Sequence, residues 1–390
     1  MDQILDQGDD VLLILLDLSA AFDTIDHNIL LHRLEHIVGL SESALSWVRS
    51  YLTDRSQAVH IQDSVSKHVP LSIGVPQGSV LGPLLFLVYV LPLRTVIVRH
   101  AIDRHGFADD AQLYTRLPRK DIQVRCQVVK RMENCLSEVR QWMTRNKLKL
   151  NDGKTECLVI SGNNSQQTQE LTLCIGEETI KPKVTVHNLG ATIDSKLTME
   201  AQVKRVIKSV YYHLRRIAKI RKHLSQEACA KIIHATVTSR LDFHNGLLAG
   251  ASSKSLARLQ VAQNNAARLL TGVNRREHIT PVLQRLHWLP VHQRIAYKVI
   301  SLIQKALHTQ SAPRYLKDQL TVYRPTRELR SSSDQWTLTV PRVRLQYGNR
   351  SFTAFGSRLW NSLPADLRQP QTFMTFKKKL KTFLFRDEYN

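Results

Sequence analysis

Val11-Leu-Leu-Ile-Leu-Leu16 is an uninterrupted apolar run that stops at a carboxylate, Asp17. Its length suits a central strand buried on both faces. An unpaired carboxylate at the end of such a strand is costly to bury. Asp17 therefore reads in one of two ways, as a strand-end cap or as one member of an acidic cluster built by the fold.

A second acidic feature decides how far the cluster reading can go. Gly106 to Tyr114 reads as strand, acidic turn, strand, with Phe107-Ala-Asp109-Asp110 at the turn. Adjacent carboxylates raise each other's pKa unless a cation neutralises them. A divalent metal does this, and Mg²⁺ prefers carboxylate oxygens. An isolated Asp-Asp pair is more often a solvated turn, and Asp9-Asp10 is such a pair with no other matching feature. Asp17 alters the balance. If its strand neighbours that of Asp109 in one sheet, the two can share metals held about 3.5–4 Å apart. Asp23 and Asp26 follow the turn and read as helix-cap or surface residues.

Gly74-Val-Pro-Gln-Gly-Ser-Val-Leu-Gly-Pro83 is a loop leading into a helix over Val80 to Leu91, expected to be buried. Its glycines let backbone approach a ligand closely, and Gln77 can donate or accept hydrogen bonds. Such a loop can hold a templating base and a nucleotide, or merely start the helix.

Composition narrows the partners. The formal net charge is +22 with a pI near 10.0, which favours nucleic acid first and an acidic membrane second. The five cysteines form no C-x-x-C pair, so a reducing compartment, nucleus or cytoplasm, fits better than a disulfide framework. The apolar run from Val80 to Leu93 is 14 residues long and contains two prolines. As a helix it would reach roughly 21 Å, short of a bilayer core of about 30 Å, and no membrane partner is expected.

Further along, Ile122 to Leu148 has the spacing of a long helix. From Glu200, Val203, Ile207, Val210, Leu214 and Ile217 repeat at helical spacing among Lys204, Arg205, Lys208, Arg215 and Arg216. That basic face is either a solvated helix surface or a grip on phosphates. Beyond Gly272 prolines punctuate a less regular segment. These shifts divide the chain into 1–195, 196–270 and 271–390, with the fold of the last part left open.

Taken together the motifs resemble a family. Leu15-Leu-Asp17-Leu-Ser-Ala-Ala-Phe22-Asp resembles motif A of reverse transcriptases, Gly74 to Pro83 motif B, and Phe107-Ala-Asp-Asp motif C. Trp142-Met-x-x-Asn146-Lys-Leu-x-Leu-Asn151-x-x-Lys154 looks like motif D and Asn188-Leu-Gly190 like motif E. The wording is that of non-LTR (LINE-type) retrotransposon polymerases. It continues through His287-Trp288-Leu-Pro290 and Arg358-Leu-Trp360-Asn-Ser-Leu-Pro364.

The resemblance implies an α+β fold: a right-hand polymerase palm, an antiparallel sheet with packed helices, then a helical thumb and a C-terminal extension. It implies two Mg²⁺ ions, with Mn²⁺ as a substitute, held by Asp17, Asp109, Asp110 and the backbone carbonyl of Leu18. Phe22 would pack beneath the sugar and exclude a 2′-hydroxyl, Gln77 and Gly78 would line the nucleotide pocket, and Lys154 would lie near the pyrophosphate. Lys204, Arg205, Lys208, Arg215 and Arg216 would grip the RNA template and DNA primer, with dNTPs as substrates. Phe107 and Ala111 replace the commoner Tyr and Thr of motif C, and neither change removes a ligand. Fingers motifs and an endonuclease are expected upstream of motif A in intact members. The chain thus reads as the 3′ part of such a reading frame, a poor polymerase by itself. The alternative from another class is a non-catalytic remnant that binds nucleic acid. An RNA-dependent RNA polymerase is disfavoured by the bulk of Phe22. Neither the oligomeric state nor the RNA copied is legible.

Overall fold

The computed structural model describes residues 2–76, 78–162, 171–176, 178–324 and 336–389. Gln77 lies outside the described residues. The chain divides into two compact units, one formed by Asp9–Leu189 and the other by Met1–Gly8 with Gly190–Asn390.

The Asp9–Leu189 unit is built on a four-stranded antiparallel sheet. Its strands are β1 (Asp10–Leu16), β2 (Asp103–Phe107), β3 (Asp110–Leu117) and β4 (Glu156–Ile160), in the order β4-β1-β3-β2. β1 is hydrogen-bonded on both edges, Leu13 facing Leu158 on one side and Tyr114 on the other. Alternate side chains of a strand leave opposite faces. Leu12, Ile14 and Leu16 enter the main core of the unit, and Val11 and Leu13 are buried as well. Burial on both faces explains why the run is continuous rather than alternating.

Three helices supply the other side of that core: α1 (His27–Arg33), α2 (Gly82–Val90) and α3 (Ile122–Arg145). Each begins where local chemistry allows. Asp26 caps α1, its carboxylate accepting from Ile29 N at 3.0 Å, and Asp121 caps α3 through Val124 N at 3.0 Å; such caps satisfy amides that the first turn leaves unpaired. Val128, Met132, Leu136, Val139 and Met143 of α3 bury one stripe against the sheet.

The expectation of a wholly buried helix over Val80 to Leu91 is corrected here. α2 starts at Gly82, and Leu85, Phe86, Tyr89 and Val90 are buried, but Val80, Leu84, Leu87 and Leu91 lie exposed. A continuously apolar stretch has no polar face to announce which side meets the core, so periodicity could not reveal this. Among the described residues no helix is long and apolar enough to cross a membrane.

The other unit is helical. Its main elements are α4 (Glu200–Ile220), α5 (Ser253–Thr271), α6 (Val291–His308) and α7 (Phe373–Tyr389). One hydrophobic cluster joins Val203, Val210 and Leu214 of α4 to Leu259 and Ala266 of α5, Ile295 and Val299 of α6, and Phe376 and Leu380 of α7. Trp360 is fully buried in the same cluster, and its indole Nε1 donates to Trp336 O at 2.6 Å. The aromatic residues of the C-terminal segment include core side chains of this unit, and the cluster runs across position 271 without a break.

Candidate active site

β1 and β3 bring the acids together by register. Leu16 pairs with Ala111, so the next step toward the strand ends sets Asp17 beside Asp110. Paired positions of an antiparallel ladder lie about 4.5–5.5 Å apart at Cα. Asp109 is one residue further along, about 3.8 Å, so the three Cα atoms fall within roughly 10 Å by these spacings. Leu16 and Ala111 face the core, and the pleat turns Asp17 and Asp110 to the opposite side.

Asp109 sits in a two-residue turn, because Phe107 pairs with Asp110 across it. Ala108, the other turn residue, adopts φ +51°. A left-handed conformation at a residue with a Cβ costs about 1–2 kcal/mol. The strained turn presents Asp109 at the tip of the β2–β3 hairpin, with Asp110 beside it at the first position of β3.

Electrostatics at this corner are repulsive. The Asp110 carboxyl is pushed above the usual carboxylate range, first by partial burial and then by Asp109 and Asp17. Asp110 is nevertheless solvent-accessible, so screening limits the energy involved. The nearest cation is Lys154, whose Nζ lies 4.0 Å from Asp17 Oδ2, with the lysine side chain 73% exposed. Such a contact is weak. No ion pair falls to Asp109 or Asp110 among the described residues.

The other aspartate pair has a different fate. Asp10 is fully buried and its two oxygens meet Arg119 Nη2 at 2.6 Å and Arg125 Nη1 at 3.1 Å. Asp9 pairs with Arg116 at 2.5 Å. Asp9-Asp10 is thus paired by the protein's own arginines, and Asp109-Asp110 has no such partner among the described residues.

Neighbouring segments are stitched to the acids through backbone. Asn151 N donates to Asp17 O at 2.9 Å, and Leu18-Ser19 pair with Lys149-Leu150. Asp17 with Asn151 is therefore the hydrogen-bonded pair and Leu18 with Leu150 the next, non-bonded one, which turns the Leu18 carbonyl away from Leu150. On the other side, Val75 N donates to Phe22 O at 2.9 Å and Gly74 N to Ile25 O at 2.7 Å. His27 Nε2 donates to Gly74 O at 2.8 Å. Gly74 has φ +85°, and a Cβ there would lie 2.9 Å from Asp23 O. Only glycine permits this approach. Gly78 has φ +78° with open space around it. The Phe22 ring is half-buried, 5.1 Å from the Phe86 ring of α2 and tilted by 40°.

Two supporting residues, Arg33 and Tyr89, carry no sequence signal. Arg33, 7% exposed, hydrogen-bonds the carbonyl of Tyr89 and Asn146 Oδ1, and Tyr89 OH donates to Asn146 O at 2.7 Å. Together with the His27–Gly74 bond they lock α1, α2 and the end of α3 around the acidic corner. An arginine in a helix normally reads as surface.

Residues 2–193 match the family model described as reverse transcriptase (RNA-dependent DNA polymerase). This segment belongs to the reverse transcriptase family. The probable RNA-directed DNA polymerase from transposon BS of Drosophila melanogaster is 26% identical over 272 residues, covering 66% of this chain and 28% of that protein. The RNA-directed DNA polymerase from mobile element jockey of the same organism is 24% identical over 266 residues, with the same coverages of 66% and 28%. The chain spans about 28% of the length of these curated relatives. A structure of telomerase from Candida albicans with the TWJ fragment of telomeric RNA aligns over 76% of this chain and 49% of that one, at 13% identity and a TM-score of 0.33. The resemblance to a LINE-type reverse transcriptase read from the motifs agrees with the family and with these transposon and mobile-element relatives.

In the reverse transcriptase domain the acidic corner suits a hard divalent cation in its donor set. All its side-chain donors are carboxylate oxygens, and their mutual repulsion at Asp110 is what such an ion relieves. Among the described residues no three His, Cys, Asp or Glu side chains are already gathered so as to hold a metal. In the helical unit, Lys204, Arg205, Lys208, Arg215 and Arg216 are exposed along α4. Arg216 Nη1 donates to Tyr212 OH at 3.0 Å, and Arg205 Nη1 reaches Gly190 O and Thr192 Oγ1, each at 3.3 Å.

Proposed function

We propose that this chain carries the catalytic part of an RNA-directed DNA polymerase of a non-LTR retrotransposon, adding dNTPs to a primer 3′-hydroxyl on an RNA template. The observation that carries the reading is the opposition of Asp17 and Asp110 at adjoining strand ends in a reverse transcriptase domain. The sheet with α1 to α3 corresponds to the palm and α4 with α5 to the thumb. Asp17, Asp109 and the Leu18 carbonyl would hold two Mg²⁺ ions, and Asp110 would complete the acidic set. When bound, those ions activate the primer hydroxyl and neutralise charge on the leaving pyrophosphate.

Every other task falls to the chain's own side chains. Phe22, braced by Phe86, supports the sugar and blocks a 2′-hydroxyl. The loop at Gln77 and Gly78 lines the nucleotide pocket, with the Gly74 backbone fixed by His27. Lys154 sets one positive charge beside the triphosphate. Lys204, Arg205, Lys208, Arg215 and Arg216 bind template–primer phosphates, which position the duplex without reading its sequence.

The test is primer extension on an RNA template with Mg²⁺, comparing the wild type with Asp109→Asn. Extension should fall by more than about 100-fold, as expected for loss of a group that acts on the transition state, with template–primer affinity unchanged. Equal loss of extension and binding would assign Asp109 a folding role. Binding with no extension by the wild type would favour the non-catalytic remnant. Equal use of ribonucleotides would overturn the role of Phe22.

A further inference from the structure

His287-Trp288-Leu-Pro290 takes no part in the acidic corner, yet it is held from several directions. His287 has φ +52°. Trp288 N donates to Leu283 O at 2.9 Å, and Trp288 O accepts from Tyr389 OH at 2.8 Å. Leu289 O accepts from Gln263 Nε2 at 2.9 Å and from Arg294 Nε at 2.8 Å. Strain such as that at His287 persists only where the surroundings over-determine it.

The segment walls a cavity of about 420 Å³ within the helical unit. That lies in the size range of small-ligand sites, about 300–1,000 Å³. Lys298 and Lys381 also line it, and neither has a carboxylate partner among the described residues. Arg294 lines it too, but its charge is matched by Asp242, whose oxygens lie 2.8 and 3.1 Å from Nη1. The wall is therefore cationic by two charges when the imidazoles are neutral. Burial, and then Arg294, push the His234 imidazole below its ordinary range; Asp242 opposes them and Lys381 adds to them.

Two further features go beyond charge. Asn245 lines the cavity, is 4% exposed, and its Oδ1 has no hydrogen-bond partner among the described residues; its Nδ2 donates to Arg294 O at 3.4 Å. A buried acceptor left unpaired costs about 1–3 kcal/mol, and a ligand N–H that reaches it as the amide turns toward the cavity would relieve that cost. The imidazoles of His234 and His287 and the phenol of Tyr297 add planar surfaces to the wall.

We infer that this cavity binds a nucleoside phosphate: the phosphate between Lys298 and Lys381, the base among the rings, and an exocyclic amino group on Asn245 Oδ1. A phosphorylated peptide offers the anion but no flat edge of donors at one end. The nucleotide can be free or one unit of a single-stranded nucleic acid, since the chemistry is shared. The site needs neither the acidic cluster nor a metal, so its test is separate from that of polymerase activity.

The experiment uses the full chain in metal-free buffer with three probes: adenosine monophosphate, a fluorescent single-stranded RNA octamer, and a phosphoserine peptide. Lys298→Ala with Lys381→Ala, both at exposed positions, should weaken the adenosine monophosphate or RNA affinity by about tenfold or more, the usual cost of removing charged partners. Asn245→Ala should weaken adenosine monophosphate more than inorganic phosphate; if that variant fails to fold, the lysine pair alone decides. Lysine-dependent binding of the mononucleotide without competition by RNA assigns a free nucleotide. Lysine-dependent binding of RNA alone assigns a nucleic-acid strand. Unchanged affinities in the lysine variant, no binding of either nucleotide probe, or tighter binding of the phosphopeptide would overturn the proposal.

Discussion

Asp17 and Asp110 stand side by side at the ends of adjacent antiparallel strands, one step beyond the Leu16–Ala111 pair. They are far apart in the chain, and only the β1–β3 register joins them. The repulsion that results is visible at Asp110, whose carboxyl is raised by burial, by Asp109 and by Asp17.

That repulsion has a stability consequence. A raised carboxyl pKa means that the folded chain binds the proton more tightly than the unfolded one. Ionised Asp110 then costs stability at neutral pH, and the cost fades as pH falls through the raised value and is gone below the ordinary one. Asp110→Asn should raise the melting temperature in metal-free buffer at neutral pH and leave it unchanged in acid. Mg²⁺ should stabilise the wild type more than the variant, because ligand binding to the folded state adds stability. Thermal melts across pH, with and without Mg²⁺, measure both. A lower melting temperature for the variant at neutral pH would contradict the sign.

Asp10 predicts the reverse pattern. Its carboxylate is buried between Arg119 and Arg125, so Asp10→Ala strands a buried arginine charge and should cost about 3–5 kcal/mol in urea unfolding. Asp9→Ala removes a two-nitrogen contact to the half-exposed Arg116 and a bond from Arg119 N to a carboxylate only 13% exposed, and should cost about 1–3 kcal/mol, less than Asp10→Ala. Similar costs for the two would mean that the network is not what stabilises this end of the sheet.

Gly74→Ala should be destabilising by about 1–3 kcal/mol, since the added Cβ is strained and overpacked. It would meet Asp23 O at 2.9 Å in a backbone at φ +85°. The shift would be transmitted to Phe22 through the Val75–Phe22 hydrogen bond, so KM for dNTPs should rise alongside. Gly78→Ala has open space and should cost only the backbone strain, about 1–2 kcal/mol. Chemical denaturation and steady-state kinetics of both variants check this.

Neutralising Lys204, Arg205 and Lys208 together should weaken template–primer binding and flatten its salt dependence. Each phosphate that the protein no longer neutralises takes about 0.9 off the slope of log K against log salt for duplex DNA. Arg205 also contacts Gly190 O and Thr192 Oγ1, so its single variant should cost more stability than those of the two lysines. An unchanged slope would move the interface off α4.

The acidic strand ends were legible because their chemistry is local. A carboxylate closing an apolar run, and two more in a turn, announce themselves in a few residues each. The capped start of α1 was legible for the same reason, since a cap such as Asp26 acts within three residues of itself. Arg33 and Tyr89 were not legible. Their roles depend on Asn146, a partner remote in the chain, and a partner's identity is absent from any short window. The two aspartate pairs make the same point: Asp9-Asp10 and Asp109-Asp110 are the same dipeptide, and only the placement of Arg116, Arg119 and Arg125 gives the first pair a structural role.

What the sequence alone determined is the set of parts: one strand buried on both faces, an acidic hairpin, a glycine-bearing loop, and an amphipathic basic helix. Hydrophobic period, turn chemistry and charge are properties of neighbouring residues, so they survive without coordinates. What only the tertiary structure decided is which parts meet. The sheet register puts Asp17 beside Asp110, the α2 packing leaves Leu84 and Leu87 in solvent, and the C-terminal aromatics Trp360 and Phe376 fill the core of the helical unit. Those outcomes follow from long-range burial and pairing, whose free energy belongs to contacts between segments and cannot be read from either segment by itself.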